Sequence, residues 1–193
     1  ENSQRMSIGE YAFENCYGLN AVYISDWDSW FRIQFVSGYS NPLFYAHNLY
    51  LNGELVTSFV FPGNTTSIGN YVFAGGNCLT SIKIPSSVIS IGNGAFDDCS
   101  GLTSIEIPSS VTSIDFAAFS GCSSLTSVVF GENSQLTKIG DYAFSDCSSL
   151  TSIEIPASVT SIGSYAFYNC RGLTNVLFGE NSQLTSIGSY AFY

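Results

Sequence analysis

The sequence predicts a solenoid of stacked coils, with short parallel strands on its concave side, short turns or helical turns opposite, and mainly β or irregular structure. The first observation behind this prediction is an Ile followed five residues later by Phe, which recurs at Ile8/Phe13, Ile68/Phe73, Ile91/Phe96, Ile114/Phe119, Ile139/Phe144, Ile162/Phe167 and Ile187/Phe192. The second is the spacing of these pairs. From residue 68 onward, successive Ile positions lie 23 or 25 residues apart, a period typical of stacked coils.

Each coil contains one segment that predicts a strand. In the coil that begins at Leu102, apolar residues follow at Ile105 and Ile107, and Glu106 lies between them. This alternation predicts a short strand with both Ile side chains inward and the residue between them outward. Proline follows the strand in several coils and ends it, because it lacks the N–H that a ladder needs. Two coils insert FGENSQL (130–136 and 178–184), which lengthens a surface turn by two residues.

Stacking of such coils predicts ladders of identical side chains. A single coil exposes both edges of its strand, so only neighbouring coils stabilise it. We expect Phe to pack on Phe along the core. Two further ladders are expected for Thr80, Thr103, Thr126, Thr151 and Thr174, and for Tyr11, Tyr71, Tyr142, Tyr165 and Tyr190. The tyrosines either pack coil on coil or are partly exposed on the side opposite the strands.

Five of the six cysteines lie three residues after the repeat Phe, namely Cys16, Cys99, Cys122, Cys147 and Cys170. Their position predicts buried free thiols that behave as small hydrophobic side chains. Cys78 departs from the pattern, since Gly76 holds its expected position, and we expect it to be the most exposed thiol. The spacing does not resemble a zinc site, and the sequence predicts neither a metal nor a cofactor.

The repeat is interrupted at residues 25–61, a segment that holds both tryptophans, the only histidine and many other aromatic residues. Within it, Asn52-Gly53 between two short apolar runs predicts a tight hairpin, and the repeat resumes at Val56. The pair Asp26 and Asp28 is a weak calcium pattern.

Two interpretations of the aromatic segment stay open. The side chains form a binding platform for a protein or a sugar, or they fill the core of an irregular coil. The candidate ligand-binding residues here are Trp27, Trp30, Phe31, Tyr39 and Tyr45.

The outward strand positions form a second candidate surface, because repeat proteins commonly bind partners on this face. The binding candidates there are Tyr23, Lys83, Glu106 and Glu154, in line with Val60, Val129 and Leu177. Lys83 beside Glu106 also fits a simple cross-strand pair without a ligand.

Composition excludes several classes of function. A formal charge of −10 with scattered basic residues argues against nucleic-acid binding. No apolar run approaches the roughly 18–20 residues of a membrane span. The sole histidine, His47, has no nucleophile motif beside it, and the carboxylates are expected on solvated turns or on the outward strand face, with no reason for a raised pKa. The sequence therefore predicts no enzyme.

The repeat unit LTSIEIPSSVTSIDFAAFSGC (102–122) resembles the BspA-like class of leucine-rich repeat, over residues 62–193 and 1–24. That resemblance implies a curved solenoid outside the cell, in surface proteins of bacteria and some parasitic protists that are associated with adhesion. We therefore expect an extracellular, cell-surface (secreted) binding module for a host protein, a matrix component or a glycan. The alternative is a stalk that displays another domain.

The expected organisation is a single leucine-rich repeat solenoid, 1–193, with repeats at 1–24, the irregular segment at 25–61 and regular repeats at 62–193. The chain begins with ENSQ, as in the turn at 132–135, and stops inside a coil. We therefore expect it to be a segment of a longer repeat array, whose open ends favour end-to-end self-association.

Overall fold

The computed structural model describes residues 6–193; the turn predicted at 1–4 lies outside them. The chain is a β-solenoid of about eight coils, and each regular coil adds one strand to each of two parallel sheets. The predicted leucine-rich repeat solenoid is confirmed.

In chain order the elements are β1 (Met6–Ile8), β2 (Val22–Ile24), α1 (Trp27–Phe31), β3 (Ile33–Phe35), a 3-10 turn (Gly38–Ser40), α2 (Leu43–Ala46), β4 (Leu49–Leu51), β5 (Glu54–Leu55), β6 (Ser58–Val60), β7 (Ser67–Ile68), β8 (Ser81–Lys83), β9 (Ser90–Ile91), β10 (Ser104–Ile107), β11 (Ser113–Ile114), β12 (Ser127–Phe130), β13 (Lys138–Ile139), β14 (Ser152–Ile155), β15 (Ser161–Ile162), β16 (Asn175–Phe178) and β17 (Ser186–Ile187).

The first sheet is built from the predicted strand segments, which are the even-numbered strands together with β5. In β10, Ile105 and Ile107 are buried and Glu106 is exposed, as the alternation predicts. Apart from β5, the strands pair in parallel and in repeat register, so that Ile105 lies opposite Val128 of the next coil. The hydrogen-bonded ladder of this sheet is broken between β5 and β6 and again between β12 and β14.

The second sheet was not predicted. It begins with the paired three-residue strands β1 and β3. From β7 to β17 it runs unbroken and consists of two-residue strands at the Ser-Ile or Lys-Ile step of each repeat. Each buried Ile lies opposite the Ile of the neighbouring coil, as for Ile114 and Ile139. Two residues are too few to show the alternation that identifies a strand, which is why the sequence pattern did not reveal this sheet.

The predicted Phe ladder lies in the core and is confirmed. Five ring pairs from Phe73 to Phe192 are stacked, with centroids 5.1–6.0 Å apart and interplanar angles of 4–15°. The threonines also form the expected ladder. The Thr126 hydroxyl donates to the Thr103 carbonyl oxygen at 3.0 Å, and equivalent bonds recur along the stack.

The side opposite the first sheet consists of turns with two left-handed positions per coil. In one coil these are Tyr142 (φ 57°) and Asp146 (φ 59°). A left-handed residue costs roughly 1–2 kcal/mol. In this conformation the N–H groups of Tyr142, Phe144 and Asp146 donate to carbonyl oxygens of the next coil, with N···O distances of 2.7–3.0 Å. These bonds between coils offset the strain, and they keep the Tyr142, Tyr165 and Tyr190 rings stacked 4.8–5.2 Å apart.

Four of the repeat cysteines are buried free thiols, as predicted: Cys99, Cys122, Cys147 and Cys170. Each thiol also donates a weak hydrogen bond to a carbonyl oxygen of the preceding coil, 3.1–3.3 Å away. Burial raises their pKa, to about 12 for Cys170.

The predicted ranking of the two remaining thiols is wrong. Cys16 is exposed, and Cys78 is half-buried with the Leu49 N–H 3.5 Å from its sulfur atom. The position of a cysteine in the repeat decides its burial only where coils cover it on both sides.

Candidate functional site

Both sheets break at the same boundary along the solenoid axis. The first sheet is interrupted between β5 and β6, and the second between β3 and β7. We call this boundary, between residues 6–55 and 56–193, the seam. It falls inside the aromatic segment of the sequence, so the geometry of the seam decides what the aromatic residues do.

One backbone bond joins the turns across the seam, from the Cys78 N–H to the His47 carbonyl oxygen at 3.3 Å, and side chains supply further bonds. Trp30 Nε1–H donates to the Val72 carbonyl oxygen at 3.1 Å, and the Asn41 side-chain amide donates to the Tyr71 carbonyl oxygen at 2.8 Å. His47 Nδ1 lies 3.2 Å from the Gly75 carbonyl oxygen. Three polar side chains of the irregular coil therefore hold the first turn of the regular stack.

Aromatic packing fills the interior at the seam. Trp27 from α1 lies 4.4 Å, centroid to centroid, from Phe59, and Phe31 lies 5.5 Å from Phe59 and 6.1 Å from Phe73. Trp30 is only 3% exposed and packs on Phe35. Trp30 is therefore a core residue without access to a ligand in this conformation, and Trp27 and Phe31 are partly buried against the same core.

The two coils approach each other closely at the turn that follows Phe73. A Cβ atom on Gly75, whose φ is +80°, would lie 2.3 Å from the Phe44 Cα atom. Next to it, Leu43 of α2 fills the space beside Gly76, at the position where other coils carry a cysteine. Only residues without side chains permit this contact.

The Asp26–Asp28 pair has a structural explanation. Asp26 is the N-cap of α1, and its carboxylate accepts hydrogen bonds from the Ser29 N–H at 2.7 Å and the Ser29 hydroxyl at 3.0 Å. These bonds lower the pKa of Asp26. Asp28 lies in the first helical turn, where a negative charge is favourable. Within residues 6–193, no group of three or more potential ligand side chains is placed to hold a metal ion.

The predicted hairpin is confirmed, and it opens a cleft. β4 and β5 pair antiparallel around Asn52 and Gly53, whose φ values of 51° and 87° are those of a type I′ turn. β5 then diverges from β6. The cleft between them has a volume of about 600 Å³, and Trp27, Leu55, Phe59 and Pro62 are among its lining residues. We call it the seam cleft.

The outward face of the first sheet runs past this cleft. Tyr23 is 70% exposed and stacks on Tyr50 at 4.9 Å, and Val60 on the other side of the seam is 64% exposed. Further along, the outward positions are also exposed: Lys83, Glu106, Val129, Glu154 and Leu177. The register places Lys83 and Glu106 side by side.

The remaining predicted residues lie on another surface. Tyr39 contacts Tyr11 and Phe44, and Tyr45 contacts Tyr17 and Phe44, in a cluster on the turns opposite the first sheet. The predicted binding residues therefore divide into a core group, an outward strand group and this turn group. The sequence did not separate them because aromatic side chains serve all three environments.

Two carboxyls, Asp97 and Asp98, contradict the expectation that the repeat carboxylates have no reason for a raised pKa. Burial and the Asp146 carboxylate raise the pKa of Asp98. Burial beneath the turn, together with the neighbouring Asp98 carboxylate, raises the pKa of Asp97 from 3.8 to about 7. The Ser120 side chain, which hydrogen-bonds to Asp97, partly opposes this shift. The turn position was predicted correctly, but a turn in a stack is covered by its neighbours.

The chain matches a known family and several solved structures. Residues 2–33, 46–148 and 133–193 match the BspA type leucine-rich repeat region, in 6 copies. A T. pallidum leucine-rich repeat protein is 34% identical, with a TM-score of 0.60, and the match covers 68% of this chain and 69% of that one. Among curated proteins, no sequence matches.

Two longer proteins are also similar. A leucine-rich cell surface protein from Faecalibacterium prausnitzii is 27% identical with a TM-score of 0.66, and the match covers 92% of this chain and 59% of that one. A leucine-rich repeat protein from Eubacterium ventriosum, 20% identical with a TM-score of 0.66 over 97% of this chain and 61% of that one, shares the fold. The chain thus spans about three fifths of each of these two proteins. No helix in residues 6–193 has the length and apolar character to cross a membrane.

Proposed function

Because the chain belongs to the BspA-type leucine-rich repeat family, we propose that it is an extracellular binding module of a bacterial surface protein. Its ligand is a host protein, a matrix component or a glycan. The similarity to a leucine-rich cell surface protein of Faecalibacterium prausnitzii supports the location. Solenoids of this kind are typically non-catalytic, and we assign the chain no reaction.

The observation that carries this proposal is the exposed apolar row on the outward face. Tyr23, which stacks on the half-buried Tyr50, and Val60 are exposed on the two sides of the seam, and Val129 and Leu177 are exposed further along among charged residues. Polar side chains such as that of Glu106 are the usual choice at strand positions that face water. Exposed apolar side chains grouped on one face of a monomer are typical of interaction surfaces.

The turn tyrosines are a weaker candidate for a sugar platform. Tyr142, Tyr165 and Tyr190 stack face to face, so the faces that a sugar would contact are covered by the neighbouring rings. The Tyr23 ring is mostly exposed and has one stacking partner, Tyr50. The outward face near the seam therefore supports the proposal better than the tyrosine ladder does.

The experiment is binding of the chain to immobilised matrix proteins, including fibronectin and fibrinogen, and to a glycan array. The test variant is Tyr23→Ser with Tyr50→Ser, which removes aromatic surface without touching the buried core. Tyr17→Ser is the matched control, because Tyr17 is exposed on the opposite side. We expect binding that the double variant loses and the control keeps. Equal binding by all three proteins would contradict the outward-face site.

The second candidate function is a structural spacer. The unbroken second sheet from β7 to β17 and the continuous Phe stack favour it for the C-terminal half. A spacer predicts no ligand in either panel and no effect of the Tyr23 and Tyr50 substitutions. Binding of any panel member at the outward face would exclude a purely structural role.

A further inference from the structure

One strand edge at the seam has free backbone hydrogen-bonding groups. On either side of β6, the Phe61 N–H donates to the Lys83 carbonyl oxygen at 3.1 Å, and the Thr57 carbonyl oxygen accepts from the Thr80 N–H at 2.8 Å. Alternate residues of a strand direct their peptide groups to opposite edges. The N–H and C=O groups of Ser58 and Val60 therefore point away from β8, toward the seam cleft.

No strand within residues 6–193 pairs with that edge, because β6 is the terminal strand of its sheet. In a regular coil, the strand of the preceding coil occupies this place. At the seam the chain reverses at Asn52-Gly53, and β5 leaves β6 instead of pairing with it. The edge is thus open inside the solenoid, independently of where the chain ends.

The seam cleft has the size and the lining of a peptide site. Its volume of about 600 Å³ lies within the roughly 300–1,000 Å³ of typical ligand sites. Trp27 and Phe59 offer apolar contacts, and Ser58 and Val60 offer the free backbone groups. An extended segment uses both, since its alternate side chains point to opposite faces of the strand it forms.

Charge restricts what that segment carries. Three acidic residues lie at or near the cleft: Glu54 lines it, and Asp26 and Asp28 flank Trp27 in the sequence. Two basic residues, Arg32 and Lys83, lie on neighbouring elements. The whole chain has a formal charge of −10. A lysine- or arginine-bearing segment is therefore attracted and an acidic one repelled, most strongly at low salt.

We infer that the seam cleft binds an extended, basic segment of a partner protein, which adds to the edge of β6 as a further strand. The inference rests on the proposed binding function and names the class of partner: a protein with an accessible, alternating apolar and basic stretch. Main-chain hydrogen bonds to Ser58 and Val60 hold the segment, and one of its apolar side chains contacts Trp27.

The first test uses the intact chain and a capped octapeptide of alternating valine and lysine, with amide NMR as the readout. We expect saturable shifts at Ser58, Val60 and the Trp27 indole. Methylation of the peptide nitrogens along one edge removes hydrogen-bond donors, and we expect at least about tenfold weaker binding. Glutamate in place of lysine has the same expected effect. No binding at millimolar concentration, or equal binding of the methylated peptide, would overturn strand addition.

The second test changes the protein edge. Val60→Pro removes the free N–H and leaves the bonds of Phe59 and Phe61 to β8, and proline is tolerated at a strand edge. Val60→Ala keeps the N–H and is the matched control. We expect at least about tenfold weaker peptide binding for the proline variant and less than about threefold for the alanine variant. Similar losses of peptide affinity in both variants would assign the effect to the Val60 side chain and overturn the inference. If the proline variant does not fold, the methylated peptide provides the test.

The matrix panel separates the two proposals. If a panel protein binds Val60→Pro and the unaltered chain equally, strand addition is wrong as the adhesive contact while the binding function remains. If the octapeptide binds as expected but no panel member does, the cleft site stands and the proposed matrix or glycan ligand is wrong.

Discussion

The Phe ladder provides the sharpest test of how the coils stabilise one another. Phe119 is fully buried, and its ring stacks on Phe96 and on Phe144, each 5.2 Å away. Phe192 holds the same repeat position in the last coil, where it is 38% exposed and stacks on Phe167 alone. Replacement of each by alanine changes the same side chain in two different environments.

The expected losses differ by about a factor of two. Burial of a Phe side chain contributes about 1.5–3 kcal/mol, and each stacked pair adds about 0.5–1.5 kcal/mol. Phe119→Ala loses two pairs and leaves a cavity, so we expect a decrease of about 3–5 kcal/mol in the free energy of unfolding. Phe192→Ala loses one pair, part of the burial and no enclosed volume, and we expect about 1.5–2.5 kcal/mol.

The measurement is urea unfolding followed by circular dichroism, with the slope m compared between variants. In a solenoid each coil contacts its two neighbours, so a central defect weakens two interfaces and a terminal defect one. An unchanged m shows that both variants unfold from the same folded state. Equal losses, or a loss below about 1.5 kcal/mol for Phe119→Ala, would refute the account of the ladder as the main coupling between coils.

Two further predictions concern the seam and its neighbouring turn. Gly75→Ala places a Cβ atom 2.3 Å from the Phe44 Cα atom, and we expect the free energy of unfolding to fall by more than about 4 kcal/mol. The control is Gly53→Ala, which has a similar φ and no atom within 4 Å and should cost about 1–2 kcal/mol. Similar urea midpoints for the two variants would contradict the close contact. Because the folded-state pKa of Asp97 is raised from 3.8 to about 7, by burial and by Asp98, stability falls as pH rises from about 4 through 7. Asp97→Asn should flatten this part of the pH profile of unfolding, and an unchanged profile would show that Asp97 does not cause it.

The regular coils were predictable because ladders require only that equivalent residues recur. The Leu-x-x-Ile-x-Ile segments, the Phe stack and the Asn52-Gly53 hairpin follow from residue type and spacing, and the structure contains all of them. The second sheet was missed for a different reason. Its strands exist through pairing between coils, and a Ser-Ile step alone carries no strand pattern.

Burial was predictable only where the neighbours of a residue were predictable. Cys16 and Cys122 occupy the same repeat position, yet Cys16 is exposed and Cys122 is buried. Asp97 lies in the expected turn, but packing of the adjacent coils partly buries it and raises its pKa. These errors share one physical cause: a repeat position specifies a side chain's direction, and stacking decides what covers it.

The seam reconciles the two interpretations of the aromatic segment. Trp30 and Asn41 donate to carbonyl oxygens of the turn at residues 71–72, where regular coils bond to one another through their backbones. The Trp27, Phe31 and Phe59 cluster fills the volume that identical ladders fill elsewhere. Because side chains hold the coils together, the backbone edge of β6 is left free beside a half-buried tryptophan. Core filling by the aromatic residues therefore leaves an accessible strand edge at the seam.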